Sequence, residues 1–200
     1  MNWRFCEIVD DLSSHTEQEV VELVQKRVSG LQLLKQTLGE DKINYQQLGG
    51  YELFTKRDSK LFEDCLLKKE EVNKLLKPIF NDYVFSLKDN IFNFNNIKEN
   101  YIFNQFEGQI DTGKMMDTLL QKVISSGIKI LNNVTVKCFS EIENSVKIET
   151  NQFTLSTSKL MIATNGFASQ LNISEVKPAR AQVLITKPIK GLKVKGTFHL

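Results

Sequence analysis

The chain has 200 residues, of which 41% are hydrophobic and 25% are charged, so it is an ordinary globular sequence long enough for one large or two small domains. Its 26 basic and 24 acidic residues leave a net charge of +2 without a basic stripe, which argues against a nucleic-acid partner. No apolar run approaches the ~20 residues that span a bilayer.

The first clear element is an amphipathic helix. Thr16 and Glu19 have the spacing of a capping box, and Gly39 stands where a C-terminal cap belongs. Apolar residues between them recur at intervals of three and four, which predicts a helix packed on a core, with a partner-binding helix as the alternative. These apolar residues are Val20, Val24, Val28, Leu31, Leu34 and Leu38.

Four further elements follow as far as residue 123. Residues 45–56 predict a strand, and residues 59–77 predict a helix that ends at Pro78, because the residue before a proline avoids helical dihedral angles. Five asparagines among residues 89–100 predict a loop or hairpin connection before a strand at 101–107. Asp111 or Thr112 then caps a helix, with these residues expected to face inward: Met115, Met116, Leu119, Leu120 and Val123.

The rest of the chain predicts two kinds of strand. Residues 128–131 and 160–163 are short and apolar, which is typical of buried parallel strands. Residues 134–139, 146–150 and 153–156 alternate in polarity and predict a small antiparallel meander. Pro178 and Pro188 bracket one more predicted strand, residues 181–186.

Metal-ligating residue types are scarce. Cys6, Cys65 and Cys138 are far apart in sequence, and His15 and His199 are the only histidines, so no metal site is predicted. We expect three reduced, partly buried thiols, as in a cytoplasmic protein. Residues 1–12 also lack the basic and apolar regions of a signal peptide.

Several of these segments resemble the FAD-dependent oxidoreductases of the D-amino-acid oxidase type, which include glycine oxidase and sarcosine oxidase. The resemblance rests mainly on the order of segments from Asp111 and its helix onwards, and residues 49–54 resemble the first strand of that family's substrate domain. It covers about residue 10 to the end of the chain, is most specific over residues 105–188 and is weak before residue 45. The segments are Gly127-Ile128-Lys129-Ile130, Val134-Thr135-Val136, Leu160-Met161-Ile162-Ala163-Thr164 and Pro178-Ala179-Arg180-Ala181-Gln182-Val183.

The resemblance implies an α+β fold with two parts. An α/β, Rossmann-like and incomplete FAD-binding part would occupy residues 108–170. An antiparallel-sheet substrate domain would take most of residues 1–107, with helices, and the chain would return to it in residues 171–200. The implied cofactor is FAD, and the implied reaction is hydride transfer to flavin from the C–N bond of a small amine or amino acid.

The resemblance also implies cofactor contacts. The main chain of Val136 would recognise the adenine, whereas the residues alone suggest plain strand packing there. Ala163, Thr164, Asn165 and Gly166 would lie near the flavin, since ligands bind outside the carboxyl ends of strands in α/β sheets. The alternative is an ordinary strand-to-loop turn. The family more often has alanine-threonine-glycine directly, and the inserted Asn165 resembles a subset that acts on amines.

No catalytic residue is predicted. Arg180, two residues from Gln182, has the chemistry to bind a substrate carboxylate, with solvent exposure or a structural ion pair as the alternative. His199 is a general base in principle, but the sequence shows no partner for it.

The sequence contains no G-x-G-x-x-G, so we expect it to lack the family's N-terminal phosphate loop. The resemblance also implies that the C-terminal part of the family's fold, with its substrate-facing aromatic and basic residues, lies outside these 200 residues. We therefore expect these 200 residues alone to bind FAD weakly or not at all, to lack oxidase activity and to self-associate through an unpaired sheet edge. Two other functions stay open: a non-catalytic binding or structural module with the same fold, and a flavoenzyme that acts on a hydroxy acid or glycerol phosphate.

Overall fold

A computed structural model of the chain describes residues 4–171, 177–179, 183–187 and 189–200. The chain divides into two compact units: the first comprises Met1–Ser126 with Leu192–Leu200, and the second comprises Gly127–Gly191. Helices and both antiparallel and mixed sheets are present, which confirms the predicted α+β class. None of the helices in the described ranges has the length and apolar character needed to cross a membrane.

The described residues form four α-helices, all of which lie in the first unit. They are α1 (Phe5–Ser14), α2 (Glu17–Leu38), α3 (Ser59–Phe80) and α4 (Thr112–Ser125). The same part of the chain contains seven strands, which are β1 (Gly50–Glu52), β2 (Phe85–Asp89), β3 (Asn100–Asn104), β4 (Val136–Ile142), β5 (Ser145–Thr150), β6 (Thr154–Thr157) and β7 (Thr197–His199).

The helix α2 confirms its local signals. The Thr16 hydroxyl accepts from the Glu19 amide at 3.3 Å, and the Glu19 carboxylate accepts from the Thr16 amide at 2.9 Å, so the capping box is complete. Gly39 follows the helix with a φ of 89°, a backbone conformation that favours glycine. Val20 and Val24 are buried in the core, so the core-packing interpretation holds.

The predicted end of α3 at Pro78 was wrong, because the helix continues to Phe80. A proline so near the end removes one helical hydrogen bond, and Ile79 and Phe80 still pack on the core. The helix ends instead at Asn81, which takes a left-handed conformation and donates its amide to the Lys77 carbonyl at 2.8 Å.

The helix α4 begins where predicted, with the Asp111 side chain accepting from the Lys114 amide at 3.0 Å. Its apolar residues were predicted to face inward, and this prediction was wrong, because no residue of this helix is buried. Met116 is 57% exposed. The periodicity of the sequence therefore predicted the helix correctly, but its prediction of burial was wrong.

The sheet of the first unit has the order β2-β3-β1-β7. The pairs β2–β3 and β3–β1 are antiparallel, and β1–β7 is parallel. Phe85 and Ile102 pack with the helices in the main core, whereas the opposite set of side chains forms a separate aromatic cluster. That cluster contains Tyr51, Tyr101, Phe103, Phe92, Phe94 and Phe198.

The asparagine-rich segment between β2 and β3 is a connection, as predicted. Asn90 folds it back, since its side chain accepts from the Phe94 amide at 3.0 Å and donates to the Phe94 carbonyl at 2.9 Å. Asn93 and Asn96 take left-handed conformations, which asparagine tolerates. The segment thereby places Phe92 and Phe94 in the aromatic cluster.

The second unit confirms the meander and contradicts the parallel strands. The strands β4, β5 and β6 form an antiparallel sheet in that order. Residues 128–131 and 160–163 form no strand, and Ile128 and Met161 are 57% and 89% exposed. A parallel strand needs a hydrogen-bonded neighbour, and the described part of the chain places none beside these segments.

The last predicted strand is also absent where it can be checked. Residues 183–186 form no strand and are exposed, and residues 181–182 lie outside the described ranges. The assignment of residues 1–107, 108–170 and 171–200 to substrate and cofactor domains stays a prediction.

Candidate functional site

The buried polar centre of the first unit is the carboxylate of Glu107, which is 4% exposed. This residue lies three positions after β3, and the turn before it carries it over the first residue of β1. The Thr197 hydroxyl donates to Oε1 of Glu107, and Nε2 of His199 lies 2.8 Å from the same oxygen. One carboxylate therefore fastens both polar side chains of β7.

The Gly49-Gly50 pair makes this arrangement possible. A Cβ atom on Gly50 would collide with the Glu107 carboxylate, so the missing side chain provides the space that the carboxylate occupies. Gly49 has a φ of 78°, and a Cβ atom there would collide with the ring of Phe103. These two glycines at the start of β1 are thus required by close contacts rather than by flexibility.

Two opposing effects act on the carboxylate of Glu107. Burial raises its pKa, but the hydrogen bonds from His199 and Thr197 outweigh burial, so the pKa lies below its ordinary value. The group is therefore an anion at neutral pH, held against an imidazole. A carboxylate and imidazole in contact can hold or pass a proton, which is the chemistry of a general base with its orienting group.

The space beside this pair limits what it can bind. The adjoining cavity, which Arg4, Phe5, Glu52 and Glu107 help to line, has a volume of about 10 Å³. That volume is at the lower limit for a single water molecule, so the cavity excludes an amine or amino acid. The pair in this conformation holds the sheet together rather than lining a substrate pocket.

A second buried carboxylate, Glu52 on β1, caps the helix α1. Its Oε2 accepts from the amides of Phe5 at 2.8 Å and Cys6 at 3.3 Å, and Arg4 Nη2 lies 3.5 Å from its Oε1. A helix N-terminus has unpaired amides and a partial positive charge, and the carboxylate satisfies both. Among the described residues, no group of three or more His, Cys, Asp or Glu is placed to hold a metal ion.

The predicted adenine contact, Val136, is the first residue of β4. Its side chain is 40% exposed, and β4 is an outer strand of its three-stranded sheet. The pairing with β5 is irregular between Val136 and Cys138, as in a β-bulge. Outer strands present backbone donors and acceptors that the sheet does not use, which is the feature that recognition of an adenine edge requires.

The predicted flavin contacts, Ala163 to Gly166, form a turn into a short 3₁₀ helix, Asn165–Leu171. Asn165 has a φ of 47°, and the Phe167 amide donates to the Thr164 carbonyl at 3.0 Å. The Thr164 hydroxyl is buried and finds no partner in the described part of the chain. Burying a hydroxyl without a hydrogen bond is costly, so this oxygen fits a contact to a polar ligand.

The predicted site residues lie in both units, and two of them lie outside the described residues. Val136 and Ala163–Gly166 belong to the second unit, and His199 belongs to the first. Arg180 and Gln182 lie outside the described residues. The sequence showed no partner for His199, and the structure supplies one in Glu107, which is 92 positions away. No local pattern marks that pairing, although the adjacent glycines were an indirect signal of close packing.

Comparison with known proteins gives one family and a group of structures. The family described as FAD dependent oxidoreductase matches residues 3–199. The structure of an L-amino acid deaminase from Proteus vulgaris, lacking its specific insertion sequence, is 11% identical with a TM-score of 0.56, and the match covers 80% of this chain. The iminodiacetate oxidase from Chelativorans sp. BNC1 is 14% identical with a TM-score of 0.55, and the match covers 77% of this chain.

These structural matches establish similarity of fold. The chain spans 42% of the length of each of the two proteins. Comparison with curated proteins gives no match.

Proposed function

The chain belongs to the FAD dependent oxidoreductase family, and from this premise we propose that the protein oxidises the C–N bond of an amine or an amino acid. The observation that carries the proposal is the extent of the family match, residues 3–199, which includes both units. The names of the two similar structures, an iminodiacetate oxidase and an L-amino acid deaminase, support this substrate class. FAD, when bound, supplies the hydride acceptor.

Within this proposal, the second unit holds the cofactor. The backbone of Val136, on the outer edge of β4, hydrogen-bonds the adenine, and the turn from Ala163 to Gly166 lies against the flavin. Among the described residues the buried Thr164 hydroxyl has no hydrogen-bond partner, which supports this assignment because a polar ligand would satisfy it. The position of Val136 on an outer strand of the described sheet supports the assignment to the adenine, because such a strand has backbone groups that the sheet does not use.

The assignment of Thr164 is tested in the full-length protein by Thr164→Val, which removes the hydroxyl and keeps the side-chain shape. We expect FAD affinity to fall by up to ~10-fold, the value of one hydrogen bond. The matched control is Thr154→Val, since Thr154 is an exposed residue of β6 outside the proposed site. Equal FAD affinity of the Thr164→Val variant and the parent protein would remove Thr164 from the cofactor site.

The reaction is tested by anaerobic reduction of the bound flavin. We expect bleaching of the flavin absorbance with a member of a panel of primary and secondary amines and amino acids. Bleaching by a hydroxy acid or glycerol phosphate alone would replace the proposed substrate class with the alternative one. A protein that binds FAD without reduction by any of these compounds would favour the non-catalytic module.

We also propose self-association of the 200-residue chain through its exposed apolar segments. Residues 128–131 and 160–163 are unpaired, and Leu131 and Met161 are 58% and 89% exposed. Apolar surface of this kind recruits other chains. Light scattering at micromolar concentration tests this, with Leu131→Lys and Met161→Lys expected to lower the apparent mass. A stable monomer of the parent chain contradicts it.

A further inference from the structure

Two cysteines that are distant in sequence meet between α1 and α3. Cys6 Sγ lies 3.4 Å from Cys65 Sγ, although 59 positions separate them in the chain. Both are free thiols, joined by a hydrogen bond in which either sulfur can donate. The oxidation of two thiols to a disulfide needs the sulfurs to approach each other, and this fold already provides that approach.

The two thiols differ in their access to solvent. Cys65 is completely buried, whereas Cys6 is half-buried at the start of α1. A small reagent therefore reaches Cys6 first, and Cys65 can react only with a group that is already bound to Cys6. This difference in access suits Cys6 to the role of the attacking cysteine and Cys65 to the role of the resolving cysteine.

We propose that Cys6 and Cys65 are a thiol–disulfide exchange site whose substrate is a low-molecular-weight disulfide. This role is independent of the proposed oxidation of amines. The product is an intramolecular Cys6–Cys65 disulfide that ties α1 to α3, and excess small thiol reverses the reaction.

The exchange proceeds in two balanced steps. The Cys6 thiolate attacks one sulfur of the small disulfide, whose S–S bond breaks, and the departing thiolate takes up the proton that Cys6 has lost. The Cys65 sulfur then attacks Cys6 Sγ, forms the protein disulfide and expels the second small thiol, which receives the Cys65 proton. Two protein thiols are oxidised, and one small disulfide is reduced to two thiols.

The surroundings set the rate of the first step. The hydrogen bond with Cys65 raises the pKa of Cys6, and burial and the neighbouring Glu52 carboxylate raise it further. The same hydrogen bond lowers the pKa of Cys65. Glu52 also occupies the Cys6 amide at the N-terminus of α1, where a helix would otherwise favour a thiolate. The first step is therefore slow, because the Cys6 thiol resists the loss of its proton.

Equilibration in glutathione buffers tests the proposal in the purified protein. After acid quenching, peptide mapping by mass spectrometry measures the Cys6–Cys65 disulfide as a function of the ratio of oxidised to reduced glutathione. We expect half-oxidation of the folded protein at a ratio at least ~10-fold lower than for the same protein unfolded in urea. Equal ratios, or a stable glutathione adduct on Cys6 with Cys65 still reduced, would overturn the proposal.

Single-cysteine variants separate the two roles. Cys65→Ser should accumulate the mixed disulfide at Cys6, because the resolving thiol is gone, and Cys6→Ser should leave the buried Cys65 reduced. The matched control is Cys138→Ser: Cys138 is exposed on β4 in the second unit and has no sulfur partner, so its loss should leave the Cys6–Cys65 titration unchanged. The control and the parent protein test the proposal even where the other variants fail to fold.

Discussion

The two units of this chain differ in how they bury apolar residues. The first unit has a main core between its helices and sheet and an aromatic cluster on a separate side of the sheet. Among the described residues of the second unit, the buried hydrophobic side chains are Ile148 and Ala168, while large apolar residues such as Leu131, Met161 and Leu184 are exposed. Apolar residues therefore form a core in the first unit, whereas in the described part of the second unit many of them lie on the surface.

This difference bears on the division of roles. The first unit is stabilised by burial of apolar side chains and by two buried carboxylates, Glu52 and Glu107, that accept hydrogen bonds. The second unit carries the proposed cofactor contacts on residues with few buried neighbours. Ligand-binding segments are commonly drawn from the less stable part of a structure, because ligand binding supplies the missing stabilisation.

The largest expected effect comes from the same substitution made in both units. Leu76→Ala removes a side chain that is 1% exposed in the main core, and we expect the free energy of unfolding to fall by ~2–5 kcal/mol. Leu131→Ala in the second unit removes a side chain that is 58% exposed, and we expect a change within ~0.5 kcal/mol. Urea unfolding followed by circular dichroism measures both, and similar losses would erase the contrast between the units.

The next largest expected effect is a stabilisation of the first unit when its two cysteines are oxidised. Oxidation of Cys6 and Cys65 closes a loop across 59 positions, which in the chain-entropy model raises the free energy of unfolding by up to ~4 kcal/mol. Hydrogen exchange should show stronger protection of α1 and α3 and unchanged protection of β4 to β6. Equal protection gains in both units would mean that oxidation acts through something other than this cross-link.

The same contrast explains what the sequence predicted. The helix α2 was predicted because its capping box and its glycine are local, and the meander was predicted because alternation is local. The helix α1 was missed, since its cap is Glu52, which contacts Phe5 across 47 positions. Contacts of that range leave no periodic signal in one sequence.

The errors have the same origin. Residues 128–131 and 160–163 have the composition of buried strands, but a strand also needs a neighbour, and composition does not say where the neighbour is. The pair of Glu107 and His199 was likewise out of reach, because it joins residues 92 positions apart. The cofactor contacts were predicted by resemblance alone and stay a prediction.

For Glu107→Gln we expect an intermediate decrease in the free energy of unfolding. The variant keeps a hydrogen-bonding oxygen but removes the charge that holds Thr197 and His199, and we expect a loss of ~1–3 kcal/mol at neutral pH. The folded pKa of Glu107 lies below its unfolded value, so its contribution is complete above about pH 4.5 and is lost as the pH falls through the folded pKa. The variant should therefore lose less stability than the parent protein between pH 4.5 and more acidic solutions.

The matched control for that charge is Glu149→Gln. Glu149 lies on β5 and is half-exposed, with its carboxylate 2.8 Å from the Lys147 ammonium, and surface pairs of this kind contribute little. Acid titration of unfolding compares the two variants. If both variants changed the acid sensitivity of unfolding equally, the buried carboxylate of Glu107 would contribute no more to it than the carboxylate of Glu149.

The smallest effect is the most informative about the second unit. In the absence of FAD, the Thr164 hydroxyl is buried without a partner in the described residues, so Thr164→Val should raise the free energy of unfolding by ~1 kcal/mol. The same substitution is expected to weaken FAD binding, so stability without cofactor and affinity for it should move in opposite directions. Thermal melts with and without FAD measure both. A variant that loses stability in both conditions would show that the hydroxyl serves the fold of this unit rather than a ligand.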